Sequence, residues 1–153
     1  MPLQEDVDVQ TSLKLLIVLS KAYKSIMDKA VKDIKNYGLS ASEFGIMDVL
    51  HKKGKIPIQQ IGGKILITSG TMTFNIDKLE NKGLIRRIPS TEDRRVIHAE
   101  ITEAGEELFT RIFPQHASSI HGMMNVLTTD QKLEAIALLK LLGKGAHSYD
   151  NET

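Results

Sequence analysis

The chain of 153 residues contains no cysteine. That absence removes disulfides, thiolate metal sites and any catalytic or redox-sensing thiol. Long apolar runs are missing as well. None exceeds the five residues of Leu15 to Leu19, far short of the roughly 20 residues that cross a bilayer. The signatures of common catalytic sites are absent too: there is no G-x-S-x-G, no G-x-x-x-x-G-K-[ST] and no H-E-x-x-H, and Gly62-Gly63-Lys64 lacks the spacing to cradle a phosphate. An enzyme is therefore not expected. His116 and His121 stand five residues apart, on different faces of a helix, and no H-x3-H pair accompanies them. No metal and no cofactor is expected. Internal repeats and low-complexity linkers are also lacking. The opening MPLQEDVDVQ, acidic and polar, has the character of neither a signal nor a transit peptide, so the expectation is a cytoplasmic protein with no membrane partner.

What is present is the composition of a single globular domain with a real core, 41% hydrophobic and 25% charged. The formal net charge of +1 hides a segregation. Residues 51–95 carry ten Lys/Arg against four acids, a balance of +6, while the remainder carries ten bases against fifteen acids. A phosphate-facing module on an acidic scaffold has this distribution. So does a set of bases lining one solvated face.

Periodicity predicts a mainly α chain with a small β-hairpin. A long helix runs from about Val9 to Tyr37, with Leu13, Leu16, Ile17, Tyr23, Met27, Ala30 and Ile34 at helical spacing and Gly38 placed to end it. Its first half is apolar nearly all round and needs a second partner surface, most simply another subunit. Ser40-Ala41-Ser42-Glu43 forms a capping box that starts a helix at about Ala41, with Phe44, Met47 and Leu50 inward and an end near Gly54. Ile56 reads as extended. Pro57 is suited to open a short helix over Ile58 to Ile65, which Gly62 and Gly63 weaken.

The stretch that organises the rest is Ile58 to Thr102. After a turn at Leu66 to Thr68, a helix from Thr68 to Gly83, with Thr68 or Ser69 as N-cap, turns Met72, Ile76 and Leu79 inward. Gly70, Thr71, Thr73, Phe74, Asp77 and Lys78 point the other way. Small hydroxyls beside bare backbone suit close approach to a DNA groove. A helix, tight turn, helix order fits that use, although helix pairs also arise without DNA partners. Past a C-cap at Gly83, the period becomes two over Leu84–Ile88 and Val96–Ile101, a hairpin whose loop from Pro89 to Arg95 exposes arginines suited to a minor groove. Asp93 either pairs with an arginine to stabilise that loop or orients one while the other reaches out. Grip on phosphate is expected from Arg86, Arg87, Arg94 and Arg95, with Lys52, Lys53 and Lys55.

Thr102 then caps a helix to about Val126 with Leu108, Phe109, Ile112, Phe113, Ala117, Ile120 and Met124 inward, and Pro114 within it should bend it. Thr128-Thr129-Asp130 caps a last helix whose leucines again cover more than one face. Gly143 and Gly145 are expected to end it, leaving residues 147–153 as a disordered tail.

This order of elements, with SGTMTFNIDKLENKGLIRRIPSTEDRRVIHAEITEAG at its centre, resembles the MarR family of bacterial winged-helix transcription regulators over essentially the whole chain. The segments Gln59 to Gly70 and Ile112 to Ala117 look most like the branch that controls catechol and quinone resistance. The resemblance implies a winged helix-turn-helix domain over residues 39–102 and a helical dimerisation domain from residues 1–38 and 103–146. It implies a homodimeric repressor on double-stranded DNA with a palindromic operator. Ser69, Thr71, Thr73 and Phe74 would approach bases, and Gly70, Lys78 and Arg86 are the further residues expected to bind DNA. Arg95, or Arg94 and Arg95 together, would enter the minor groove, oriented by Asp93. Phe74 meets a thymine methyl or lies against the preceding helix. A small phenolic or aromatic effector is implied, with Tyr23, Tyr37, Phe44, Met47, Phe113 and His116 as wall residues, though side chains at that spacing also serve as plain core. Peroxide-sensing branches place a cysteine near the start of the first helix. Leu15 and Leu16 occupy that region here, which excludes thiol sensing. A protein-interaction module without base readout is the competing class, since winged helices also occur as docking domains.

Overall fold

The computed structural model describes residues 4–65 and 71–149, with the side chains of Gln4 and Glu5 left aside. Two compact units are present, residues 1–117 and residues 118–153.

In the first unit, α1 (Gln4–Lys35) leads through a turn to α2 (Ala41–Lys53). The expected capping box is formed: the Ser40 hydroxyl accepts from the Glu43 amide at 3.1 Å, and the Glu43 carboxylate accepts from the Ser40 amide at 3.1 Å. Buried side chains, Ser42, Glu43, Phe44, Ile46, Met47, Val49 and Leu50, surround α2 on nearly all sides, which makes it the central helix, packed on α1, α3 and β3. Beyond it β1 (Ile56–Pro57) is followed by two 3-10 turns, Ile58–Gln60 and Gly62–Lys64. The single short helix expected over 58–65 is thus replaced. Eight residues with two adjacent glycines cannot offset the cost of nucleating an α-helix, while Ile61 between the turns is fully buried and anchors them.

Next comes α3 (Met72–Asn81), then β2 (Ile85–Pro89), β3 (Ile97–Ile101) and α4 (Glu103–Met124). The sheet is antiparallel in the order β1-β3-β2. Ile85 faces Ile101 and Pro89 faces Ile97 across the hairpin, while Ile56 faces Ala99 on the other side. The hairpin was expected and Ile56 was read as extended, but its pairing with β3 was not foreseen. Two residues are too few to show a period, and Pro57 is tolerated there because an edge strand need not donate on its outer side. One core joins α2, α3, the sheet and α4 through Met47, Leu50, Ile76, Leu79, Ile85, Ala99 and Phe109. Each large member stabilises by roughly 1.5–3 kcal/mol when fully buried.

Of the side chains expected inward on α4, Phe109 and Ile112 are buried, whereas Phe113 (39% exposed) and Ala117 are not. The stripe is narrower than the periodicity implied because α4 meets the core only over its first turns. In the second unit, Thr128 and Gln131 form a reciprocal cap, with the Thr128 hydroxyl accepting from the Gln131 amide at 3.2 Å. It starts α5 (Thr129–Tyr149). This helix runs through Gly143 and Gly145, so residues 147–149 are helical rather than part of a tail. A helical glycine costs about 1 kcal/mol against alanine, and the flanking Leu141, Leu142, Lys144 and Ala146 are good helix formers. Residues 150–153 lie outside the described residues.

Candidate nucleic-acid interface

The N-cap of α3 is Thr71, not Thr68 or Ser69: its hydroxyl accepts from the Phe74 amide at 3.1 Å. The Thr71 carbonyl accepts from both the backbone and the side-chain amide of Asn75, and Asn75 is buried at 3% exposure. Buried Asn75 and Ile76 fix where the first turn can lie, and Thr71 is the hydroxyl residue in reach of that turn. Ser69 and Gly70 fall outside the described residues.

At its other end α3 closes in a Schellman arrangement. Leu84 N–H donates to the Leu79 carbonyl at 3.0 Å and Gly83 N–H to that of Glu80 at 2.9 Å, with Gly83 at φ +75. Ile76 and Leu79 are fully buried and Met72 half-buried, so Thr71, Thr73, Phe74 and Asp77 are left on the exposed side as expected. Phe74 is 55% exposed, with the Lys78 ammonium 5.4 Å from its ring centre. Lys78 is half-buried and also lies 3.7 Å from a Glu43 carboxylate oxygen.

The hairpin is tied to α3 by one arginine. Arg87 binds Asp77 at 2.7 Å and Glu80 at 2.9 Å, and its backbone amide donates to Glu80 at 3.1 Å. Arg87 was expected to grip DNA. Its guanidinium clamps β2 onto α3, a role that needed the three-dimensional pairing of i, i+7 and i, i+10 residues to be seen. Arg86 pairs across the strands with Glu100 at 2.8 Å and stays exposed.

The loop from Ser90 to Val96 is closed on itself. The Ser90 amide donates to the Val96 carbonyl at 3.0 Å, and the Ser90 hydroxyl accepts from the amides of Glu92 and Asp93, both at 3.2 Å. Asp93 accepts from the Arg95 backbone at 3.0 Å and from its guanidinium at 3.2 and 3.3 Å. These bonds from Arg95 hold the Asp93 carboxyl below its ordinary range. Asp93 therefore orients Arg95, while Arg94 is exposed and has no partner among the described residues. Lys53 and Lys55 are exposed near the start of β1, and Lys52 pairs with Asp48 at 3.0 Å.

The six aromatic-site candidates do not form one wall. Met47 is sealed in the core at 0% exposure. Tyr23 lies on α1, along an open groove of about 440 Å³ that holds none of the other five. Phe113 stacks on Phe109 with ring centres 5.3 Å apart. Phe44, Tyr37 and His116 do converge: the His116 ring is 4.7 Å from that of Phe44, and its Nδ1 lies 2.8 Å from Asp33, to which the Tyr37 hydroxyl donates at 3.1 Å. Sequence reading missed Asp33. The i, i+4 spacing of Asp33 and Tyr37 was a signal, but nothing local pointed to a histidine 83 residues away.

An exposed, hydroxyl-bearing helix face beside a hairpin tipped with arginine is the arrangement of winged-helix DNA-binding proteins. A family model described as the MarR family matches residues 39–97, from just before α2 into β3. The HTH-type transcriptional regulator MhqR of Bacillus subtilis (strain 168) is 46% identical over 143 residues, covering 94% of this chain and 99% of that protein. The chain belongs to the MarR family of transcriptional regulators. Among solved structures, Sco3205 of Streptomyces coelicolor, a MarR family regulator in complex with DNA, shares the fold at a TM-score of 0.76 and 19% identity, covering 95% of this chain and 89% of that one. The organohalide-sensing regulator RdhR-CbdbA1625 in its 2,4-dichlorophenol-bound form does so at 0.74 and 17%, covering 90% and 81%.

Proposed function

We propose that the chain acts in the cytoplasm as a homodimeric, sequence-specific repressor whose hold on DNA is released by a small phenolic or aromatic effector. The observation that carries DNA readout is the exposed outer side of α3, Thr71, Thr73 and Phe74, flanked by the wing arginines. The Streptomyces relative by fold is a DNA complex, and the chlorophenol-bound relative supports an aromatic effector. The Asp33, Tyr37, Phe44 and His116 cluster, joining α1, α2 and α4, is the reading's effector end.

Dimerisation rests on apolar surface. Leu13, Leu15, Leu16, Ile17 and Val18 of α1 are each at least 51% exposed, and Leu133, Leu138, Leu139 and Leu141 of α5 at least 50%. Contiguous apolar surface of this kind marks an interaction site. No helix among the described residues is long and apolar enough to cross a membrane. Two-fold symmetry then requires a palindromic operator with half-sites about 10 bp, or a multiple of one turn, apart.

A gel shift of the DNA upstream of the protein's own gene, against random duplex at moderate salt and with a phenol added, tests the reading. Selective retardation relieved by the phenol is expected; equal retardation of both duplexes sinks specific repression. If the protein is instead a docking module, replacing Arg94 and Arg95 by alanine leaves its partner binding intact.

A further inference from the structure

Glu43 is 1% exposed, a buried charge in the first turn of α2. The capping box does not account for that charge, because glutamine serves as well at the third helical position. The carboxylate has a second set of partners. Its Oε2 lies 2.6 Å from the Lys82 ammonium, its Oε1 lies 3.7 Å from that of Lys78, and Lys82 also donates to the Gly38 carbonyl at 3.2 Å. Lys82 is the C-cap residue of α3. One buried carboxylate thus joins the start of α2, the turn after α1 and the far end of α3.

Burial of Ile76 and Leu79 sets which face of α3 turns inward, but for a helix only ten residues long it holds the fine roll and tilt weakly, since burial is non-directional. A charge-assisted hydrogen bond does fix them. Arg87 holds α3 from the β2 side, and Glu43 holds it from the α2 side. We propose that Glu43 is a positioning residue for DNA recognition: through Lys82 it seats α3 so that its exposed face meets the groove in one register. The inference rests on the DNA-binding reading above.

Binding is measured by fluorescence anisotropy over a salt series, on the duplex that the wild-type protein selects from a randomised pool and on a scrambled duplex. Thermal midpoints are measured in parallel. Glu43→Gln keeps the cap and releases Lys82. Glu43→Gln and Lys82→Met are each expected to lower the ratio of selected to scrambled affinity about tenfold, the size of one lost base contact, with the salt slope unchanged. Lys82→Arg retains the ratio. The double variant, which leaves no unpaired buried charge, melts above Lys82→Met yet discriminates no better than either single change. An unchanged ratio in both single variants overturns the inference. So does a double variant that regains discrimination together with stability, because the tether would then serve folding alone. A Lys82→Met slope reduced by about 0.9 at constant ratio also overturns it, since that is the mark of a lost phosphate contact. A wild-type protein that selects nothing sinks the DNA-binding reading as well; a selective wild type with unaltered variants sinks only the role of Glu43.

Discussion

A Cβ at Gly105 would stand 2.2 Å from the Leu84 carbonyl oxygen and 2.7 Å from Ile101 Cγ1. That oxygen cannot retreat freely, because it accepts from the Thr102 amide at 3.0 Å while the Thr102 hydroxyl donates to Gly83 at 2.6 Å. The start of α4 is thereby riveted to the end of α3. Gly105→Ala should cost about 1–3 kcal/mol by overpacking, read as a lower midpoint in urea unfolding; a wild-type midpoint contradicts the rivet. Glu43 makes a second prediction at this scale. Burial opposes its ionised form, but the Lys82 ammonium and the Ser40 amide and hydroxyl outweigh burial and hold its carboxyl below the ordinary 4.5. Its folded pKa being depressed, its contribution is present above that ordinary value and is lost as pH falls through the folded one. Stability measured against pH should fall less steeply on the acid side in Glu43→Gln. An acid limb identical to wild type contradicts the assignment.

The elements divide by how local their causes are. Starts at Ser40, Thr102 and Thr128 and the stop at Gly83 were legible because each cap lies within five residues of the helix end it sets. The start of α3 was not, since Thr68, Ser69 and Thr71 are all competent caps and burial of Asn75 and Ile76 decides among them. The end of α5 was misjudged because a glycine stops a helix only where it takes positive φ, and Gly143 and Gly145 do not. On the candidate site, the exposed side of α3 and the arginines of the wing could be read from spacing. The pairing of Arg87 with α3, of Glu43 with Lys82 and of Asp33 with His116 joins distant segments and could not. The wing itself supports a prediction. Because Asp93 holds Arg95 and leaves Arg94 free, replacing both arginines by alanine should weaken DNA binding at least about tenfold and lower the salt slope by roughly one to two. Anisotropy titrations over a salt series measure both quantities, and unaltered binding would favour the docking-module class.

At the scale of the whole molecule, exposed hydroxyl and arginine side chains gather on α3 and the wing, while α1 and α5 each expose several leucines among their charged residues. A dimer should appear in light scattering at twice the 17.0 kDa of the chain, and Leu16→Glu with Leu138→Glu should abolish that species and lower the thermal midpoint. A monomeric wild type contradicts the dimer. In the proposed dimer the exposed face of α3 reads bases twice, about a two-fold axis. Selection of binding sites from randomised duplex DNA by wild type and by Thr73→Ala tests it most directly. The wild type is expected to select an inverted repeat, and Thr73→Ala to relax base preference at equivalent positions of both halves. A selected pool without symmetry, or the same base preferences in both proteins, would contradict it.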